Sequence, residues 1–209
     1  MKELTVSNLK RKYPLPDKEF LQLDSLERHK IDQVSWSSYP YQPEVAFAIA
    51  HKEERIFLKY FVKEKSIRAV TKNINGSVWE DSCVEFFISF DDKGYYNLEF
   101  NCEGVALVGF GKEKSKRELV SVDLIKKINT QSVIRKERDG LIYWELSISI
   151  PLDVFVHHTL TTINGKQCRA NFYKCGDLLP EPHFISWSRI SSAEPNFHLP
   201  QFFGTLRFE

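Results

Sequence analysis

Asn75-Gly-Ser-Val-Trp-Glu-Asp-Ser-Cys-Val-Glu-Phe-Phe-Ile-Ser-Phe90 leads from a turn that carries a tryptophan directly into a strand. In its second half Val84, Phe86, Ile88 and Phe90 share one face, while Glu85 and Ser89 fall on the other. One face therefore calls for a core. The other sets a carboxylate near the indole of Trp79, and acceptors beside an aromatic plane suit a sugar, whose C–H face stacks on a ring while its hydroxyls seek partners. The competing reading makes Trp79 a plug at one end of the core.

The same alternation extends in both directions. Val45, Phe47 and Ile49 before the polar turn 51–54, and Ile56, Leu58, Tyr60 and Val62 after it, read as a hairpin. A second hairpin joins 82–90 to 95–101 across Asp91-Asp-Lys-Gly94, and 105–110 continues the meander. Residues 132–137 and 141–150 flank Asp139-Gly140, the strongest two-residue hairpin dipeptide in the chain. Pro151-Leu-Asp-Val-Phe155 reads as one helical turn, 119–128 as either a short helix or a strand, and 169–174, 184–187 and 204–208 as further strands. About ten strands closely spaced by turn signals predict an all-β antiparallel β-sandwich, immunoglobulin-like or jelly-roll-like, with one or two short helical turns. The 209 residues, 42% of them hydrophobic, suffice for a single domain over 1–209, in which 1–43 forms an N-terminal arm and first strand with Trp36 packed against the sandwich.

Twenty-nine Lys and Arg offset 28 Asp and Glu, so charge gives no signal for nucleic acid or membrane surface, and the basic run Lys112 to Arg117 reads as a solvated loop. No apolar h-region opens the chain and no window is long enough to span a bilayer, so as written it reads as soluble and unexported; a chain trimmed of its leader would read the same, and the compartment stays open. Cys83, Cys102, Cys168 and Cys175 lack close C-x-x-C spacing, which argues for buried thiols over a thiolate zinc site. Asn75-Gly76-Ser77 matches a glycosylation sequon, a short pattern common by chance. The oligomeric state is not legible.

The residues that alternation turns away from the core form an unusual surface. Glu85, Asn97, Glu99 and Asn101 come from the second hairpin, with Tyr95 in phase; Arg169, Asn171 and Tyr173 come from a later strand. Carboxylates, amides, a guanidinium and phenols supply the fixed donors and acceptors that read vicinal hydroxyls, although any antiparallel sheet can have a polar face. Near the C-terminus, Pro195 and Pro200 stiffen a loop holding Phe197 and His198. By itself Phe197 reads as a loop residue tucked into the core, and His198 as a structural histidine.

Trp79-Glu-Asp-Ser-Cys-Val-Glu-Phe-Phe-Ile88, followed by Ile185-Ser-Trp-Ser188 and Phe203-Gly-Thr-Leu206, resembles carbohydrate-binding module family nine over roughly 40–209. Tyr95-Tyr-Asn-Leu-Glu-Phe-Asn101 and Asn196-Phe-His-Leu-Pro200 are similar to a bacterial, glycoside-hydrolase-associated branch. The resemblance implies a β-sandwich, attached in relatives to xylanases and related secreted glycosidases, that binds sugar without cleaving it. It implies that two aromatics clamp the terminal sugar of a plant-type glucan or xylan: one falls on Trp79, and the second, a Trp in the family, falls by spacing on Phe197. The family's acid falls on Glu85, its Arg on the next strand on Glu99, and its Gln on the later strand on Tyr173. With Asn97 on the same face and Arg117 or Arg169 nearby, these eight residues make the candidate ligand site. No cofactor is required; calcium occurs structurally in the family, with Asp91 and Asp92 as the candidates here.

Three other readings compete. A glycoside hydrolase would pair Glu85 with Asp81 or Glu99 as acid and nucleophile. A haem sandwich would need axial ligands from His183, His198 or Met1. A protein-interaction sandwich would retain the fold with a decayed sugar site.

Overall fold

The computed structural model describes residues 2–9 and 19–209. Its strands are β1 (Glu3–Asn8), β2 (His29–Lys30), β3 (Gln33–Val34), β4 (Glu44–Lys52), β5 (Arg55–Glu64), β6 (Cys83–Asp91) and β7 (Gly94–Asn101). They continue as β8 (Ala106–Gly111), β9 (Glu118–Leu119), β10 (Asn129–Lys136), β11 (Ile142–Pro151), β12 (Gln167–Cys175), β13 (Phe184–Ser186) and β14 (Gly204–Phe208). The helices α1 (Glu19–Leu23) and α2 (Val122–Ile125) are short. Ten strands of five or more residues carry the fold, as the alternation predicts, and the other four have two or three residues each. The region 119–128 turns out to be both strand and helix: β9 ends at Leu119 and α2 begins at Val122. The predicted turn after Pro151 is the 3-10 turn Leu152–Val154.

Strand order β10-β11-β5-β4-β1-β14-β12-β6-β7-β8-β9 curls into two facing layers. One departure from the expected antiparallel pattern is β1. Its Glu3–Val6 half runs parallel to β14 and its Ser7–Asn8 end runs parallel to β4, so this strand hands over from one layer to the other. Residues 10–18 of the expected N-terminal arm lie outside the described residues. Trp36 is buried, but it packs near Phe184 and Phe197 and donates its indole N–H to the Ser192 carbonyl at 3.1 Å, on the far side of β12 from the main core.

Between the layers, Phe47 stacks on Phe172 at 3.7 Å and Phe172 on Phe86 at 5.0 Å, with Trp144, Tyr60, Ile148 and Trp187 around them. Two polar contacts cross this apolar space. The Tyr60 hydroxyl on β5 donates to the Glu85 carbonyl on β6 at 2.9 Å. Four residues along β5, Glu64 meets Lys174 of β12 at 2.9 Å, both fully buried. The Lys174 ammonium also donates to the Cys175 carbonyl and the His183 Nε2, each at 2.8 Å, and Glu64 accepts from the Trp144 indole at 2.6 Å. An ammonium has only donors, so His183 accepts through Nε2 and gives its Nδ1 proton to the Glu181 carbonyl at 3.0 Å. Burial, then Lys174, pushes this imidazole down to about 3, and it stays neutral.

Removing one partner of such a pair strands a charge in the core. Lys174→Met is expected to lower unfolding free energy by about 3–5 kcal/mol in urea denaturation. Adding Glu64→Gln, which keeps an acceptor for Trp144, is expected to regain most of that loss.

Candidate functional site

The outer face of the β12-β6-β7-β8 layer is not open to water. Loops at 35–39, 78–80 and 184–203 lie over it and build a second apolar cluster from Trp36, Phe87, Tyr95, Tyr173, Phe197 and Phe203. The polar residues read from alternation do share this face, but beneath a cover: Glu85, Asn97 and Glu99 are only 3–4% exposed. Where the cover parts, a cavity of about 390 Å³ opens. It gathers six of the eight candidate residues, namely Trp79, Glu85, Asn97, Glu99, Arg117 and Phe197.

Register explains the floor. Glu85 pairs directly with Glu99 across β6 and β7, and Glu99 with Leu107 of β8, so these three side chains form one row. In the next row Asn97 lies opposite Gly109. A Cβ on Gly109 would come within 2.8 Å of the Asn97 amide oxygen and 3.4 Å of the Arg117 Nε; the bare backbone gives Arg117 room to cross the strand. Its Nε donates to Asn97 at 2.6 Å, its remaining nitrogens donate to the carbonyls of Tyr95, Gly109 and Gly111, and its plane lies 4.3 Å over the Tyr95 ring. Asn97 in turn donates to Glu99 at 2.8 Å. The run expected to be a solvated loop therefore folds its last residue, Arg117, into the site wall.

The two proposed clamp rings differ in their surroundings. Trp79 sits in a 3-10 turn whose neighbour Val78 is buried, while its own side chain is 37% exposed, high for so large a ring. Asp177 donates its N–H to the Trp79 carbonyl at 3.1 Å and Leu178 donates to Glu80, so the turn is pinned while the indole stays free. Asp81 anchors the same turn. Buried, it accepts from the Val70 and Thr71 N–H groups and from Asn101, and it pairs with Arg68; against burial, these donors hold its carboxyl below the usual range. Phe197 is only 7% exposed. One face lies flat on Tyr173 at 4.2 Å, and Trp36 is 6.1 Å away, so Phe197 forms a packed wall of the cavity.

Two candidates lie elsewhere. Tyr173 is fully buried beneath Phe197 and donates to its carbonyl at 3.2 Å, which makes it a support for the wall. Arg169 donates to the Gln201 and Phe203 carbonyls and borders a separate groove with Ser89 and Pro200. Sequence reasoning did not single out Lys114 or Asp177, which line the cavity. Asp177 follows β12 by two residues, a position at which alternation gives no direction once the strand has ended. His198 also lines the cavity; its Nδ1 lies 3.0 Å from the Tyr95 hydroxyl, and burial, then Arg117 and Lys114, drives it down to about 3.

Burial dominates the electrostatics. Burial raises Glu85 well above the carboxylate range, with Cys175 and Glu99 adding to the effect; Glu99 is pushed up to about 7 and Asp177 to about 6, in both cases by burial first. Among the described residues one group has metal-ligand spacing, Cys83, Glu85 and Cys175, because Cys83 pairs directly with Cys175 across β6 and β12. Ninety-two positions of separation conceal that contact in the sequence. Two thiols and one carboxylate do not suit calcium, which takes six to eight oxygens. Nor do Asp91 and Asp92: the Asp91 carboxyl already receives the Lys93 N–H at 2.8 Å and faces His158 at 3.2 Å. The sequon residue Asn75 has a positive φ of 61° and uses its amide inside the fold, donating to Val120 and accepting from Val108.

A two-layer β-sandwich with an acidic, loop-covered cavity and an exposed indole at its mouth has the form of a lectin-like binding module. The profile of carbohydrate-binding family 9 matches residues 17–208, and the chain belongs to that family. It is similar to a Bacteroides uniformis ATCC 8492 protein, named provisionally as carbohydrate-binding, with 43% identity over 100% of this chain and 99% of that one and a TM-score of 0.92. Two structures of a family 9 module from Caldicellulosiruptor kristjanssonii share the fold at 14% identity over 100% of this chain. The one in complex with glucose has a TM-score of 0.65 over 96% of its length, and the one with cellotriose 0.67 over 94%. No curated protein matches the chain.

Glu99 gives the site a signature in solution. A carboxyl raised from 4.5 to about 7 stays protonated in the fold while the unfolded chain ionises, so stability falls as pH rises across that window and remains reduced above it. Glu99→Gln removes the effect. Thermal melts are expected to show the variant more stable than the parent above pH 7, by on the order of 2–3 kcal/mol, with the gap closing toward pH 4.5.

Proposed function

We propose that the cavity beside Trp79 binds the terminal residue of a plant-type oligosaccharide or polysaccharide, such as a glucan or xylan, without cleaving it. The observation that carries this reading is the Trp79 indole, held open on a pinned turn directly above a floor of carboxyl and amide groups. A pyranose laid on that ring presents its hydroxyls to Glu85, Asn97 and Glu99, and Phe197 closes the wall. Stacking on one open ring plus a few hydrogen bonds gives modest affinity, with Kd on the order of 10–1000 μM. The glucose and cellotriose complexes of the Caldicellulosiruptor module make glucans the first ligands to try.

Hydrolysis has less support. Glu85 and Glu99 are direct cross-strand neighbours, an arrangement common among carboxylates with no catalytic role, and Asp81 is engaged by Val70, Thr71, Asn101 and Arg68 and does not line the cavity. Of the candidates for a haem ligand, His198 faces Tyr95, His183 is locked onto Lys174, and Met1 lies outside the described residues. For calcium, neither Asp91 with Asp92 nor the thiol-containing cluster offers enough oxygens.

Isothermal titration with cello- and xylo-oligosaccharides tests the reading. Trp79→Ala is expected to weaken binding at least tenfold with a melting temperature within a degree or two of the parent. Phe197→Ala is expected to lower stability by about 3–5 kcal/mol as a buried ring is lost. If Trp79→Ala binds as the parent does, the cavity is not a sugar site, and the alternative of a sandwich that binds a protein takes its place.

A further inference from the structure

The two acids on the floor of the cavity lack an ion-pair partner. Glu85 and Glu99 stand directly opposite each other, nearly buried and facing the cavity, and among the described residues neither makes an ion pair. The partner of Glu85 is the Cys175 thiol at 3.2 Å, and that of Glu99 is the Asn97 amide. Arg117 makes no ion pair with Glu99: its hydrogen bonds go to Asn97 and to main-chain carbonyls, and its charge, like that of Lys114, offsets only part of the effect of burial on that carboxyl. Lys114 is an exposed side chain on the rim, and Asp177 adds a third acid to the wall. Buried carboxyls side by side normally have a cation, and without one the pair must retain a proton. Both carboxyls line the cavity, so a cation that enters it can reach the two together.

We infer that the sugar this site prefers is an amino sugar, a pyranose with a free amine, whose ring rests on Trp79 and whose ammonium sits between Glu85 and Glu99. This rests on the sugar-binding reading above and changes its preferred ligand from a neutral glucan or xylan residue to an amino sugar. The same acids that hold an ammonium repel a carboxylate, so uronic acids are the worst ligands. A divalent metal is the less favoured cation, because it would use the Cys83 and Cys175 thiols as thiolates, and burial first of all pushes Cys83 up to about 12.

Titration of the full chain at pH 7 with glucose, glucosamine, N-acetylglucosamine and glucuronate decides the matter. Glucosamine is expected to bind about tenfold more tightly than glucose, the scale of one charge-assisted hydrogen bond. N-acetylation should cancel that gain, and glucuronate should bind least. Glu99→Gln should lower glucosamine affinity about tenfold more than it lowers glucose affinity, so that the two sugars bind alike; Glu85→Gln is the second variant should the first not fold. If glucose or cello-oligosaccharides bind but glucosamine binds no better, the inference is wrong and the sugar reading stands. If no sugar binds, both are wrong. If zinc binds with a dependence on Cys83 and Cys175 and displaces glucosamine, the missing cation is a metal and the amino-sugar assignment is overturned.

Discussion

Lys174 and Glu64 hold the two layers in register, and the site depends on that register. Alternation along β12 sends Lys174 into the core and Tyr173 and Cys175 to the opposite side, one beneath Phe197 and the other against Glu85. A one-residue slip would bury the phenol and the thiol in the wrong layer and expose the ammonium. The ammonium has two hydrogen-bond acceptors and one ion-pair partner, and a shifted register would lose all three. Tyr60, four residues before Glu64 on β5, fixes β6 in the same way by bonding to the Glu85 carbonyl. The backbones beneath the cavity are thus set from inside the sandwich, and the carboxyls on the other side inherit their positions.

Covering the outer face changes the chemistry of the acids more than it changes the fold. Left in water, Glu85 and Glu99 would be an ordinary cross-strand pair of like charges, weakly unfavourable. Under the 184–203 loop they lose solvent, and burial becomes the largest influence on both. The same cover desolvates His198 and keeps it neutral, so the histidine beside the cavity contributes no positive charge to offset them. Covering also lets the loop bring its own groups, including Phe197, over a floor made by strands nearly a hundred residues earlier.

Short-range features of this fold are legible in the sequence, and long-range ones are not. The hairpins at 45–62, 83–101 and 132–150 follow from period-two alternation and turn chemistry, both local. The parallel pairing of β1 with β14 joins residues about two hundred positions apart and leaves no local mark. The Cys83–Cys175 approach is hidden for the same reason. Within the site, alternation correctly assigns Glu85, Asn97, Glu99 and Tyr173 to one face, yet it cannot tell whether that face meets water, a ligand or a loop. Tyr173 and Asn171 meet the loop, the latter through Ser188. Arg169 lies on the same strand, but its side chain meets the loop carbonyls of Gln201 and Phe203. Lys114 and Asp177 sit on connecting segments, where no periodicity assigns a direction.

What separates recognition from stability here is how little of the site remains open. The main chain of the Trp79 turn is tied on both sides, by Asp177 and Leu178 from one loop and by Asp81 to the 70–71 segment from the other. Its indole contributes less to the core than Phe197 or Tyr173, both of which are packed ring on ring. A platform fixed before the ligand arrives loses little conformational freedom on binding, so one exposed ring can suffice where the opposing ring is committed to packing. The direction of the asymmetry follows from burial: the open ring can tune affinity at little structural cost, whereas any change to the buried one must be accommodated by the loop that shapes the cavity.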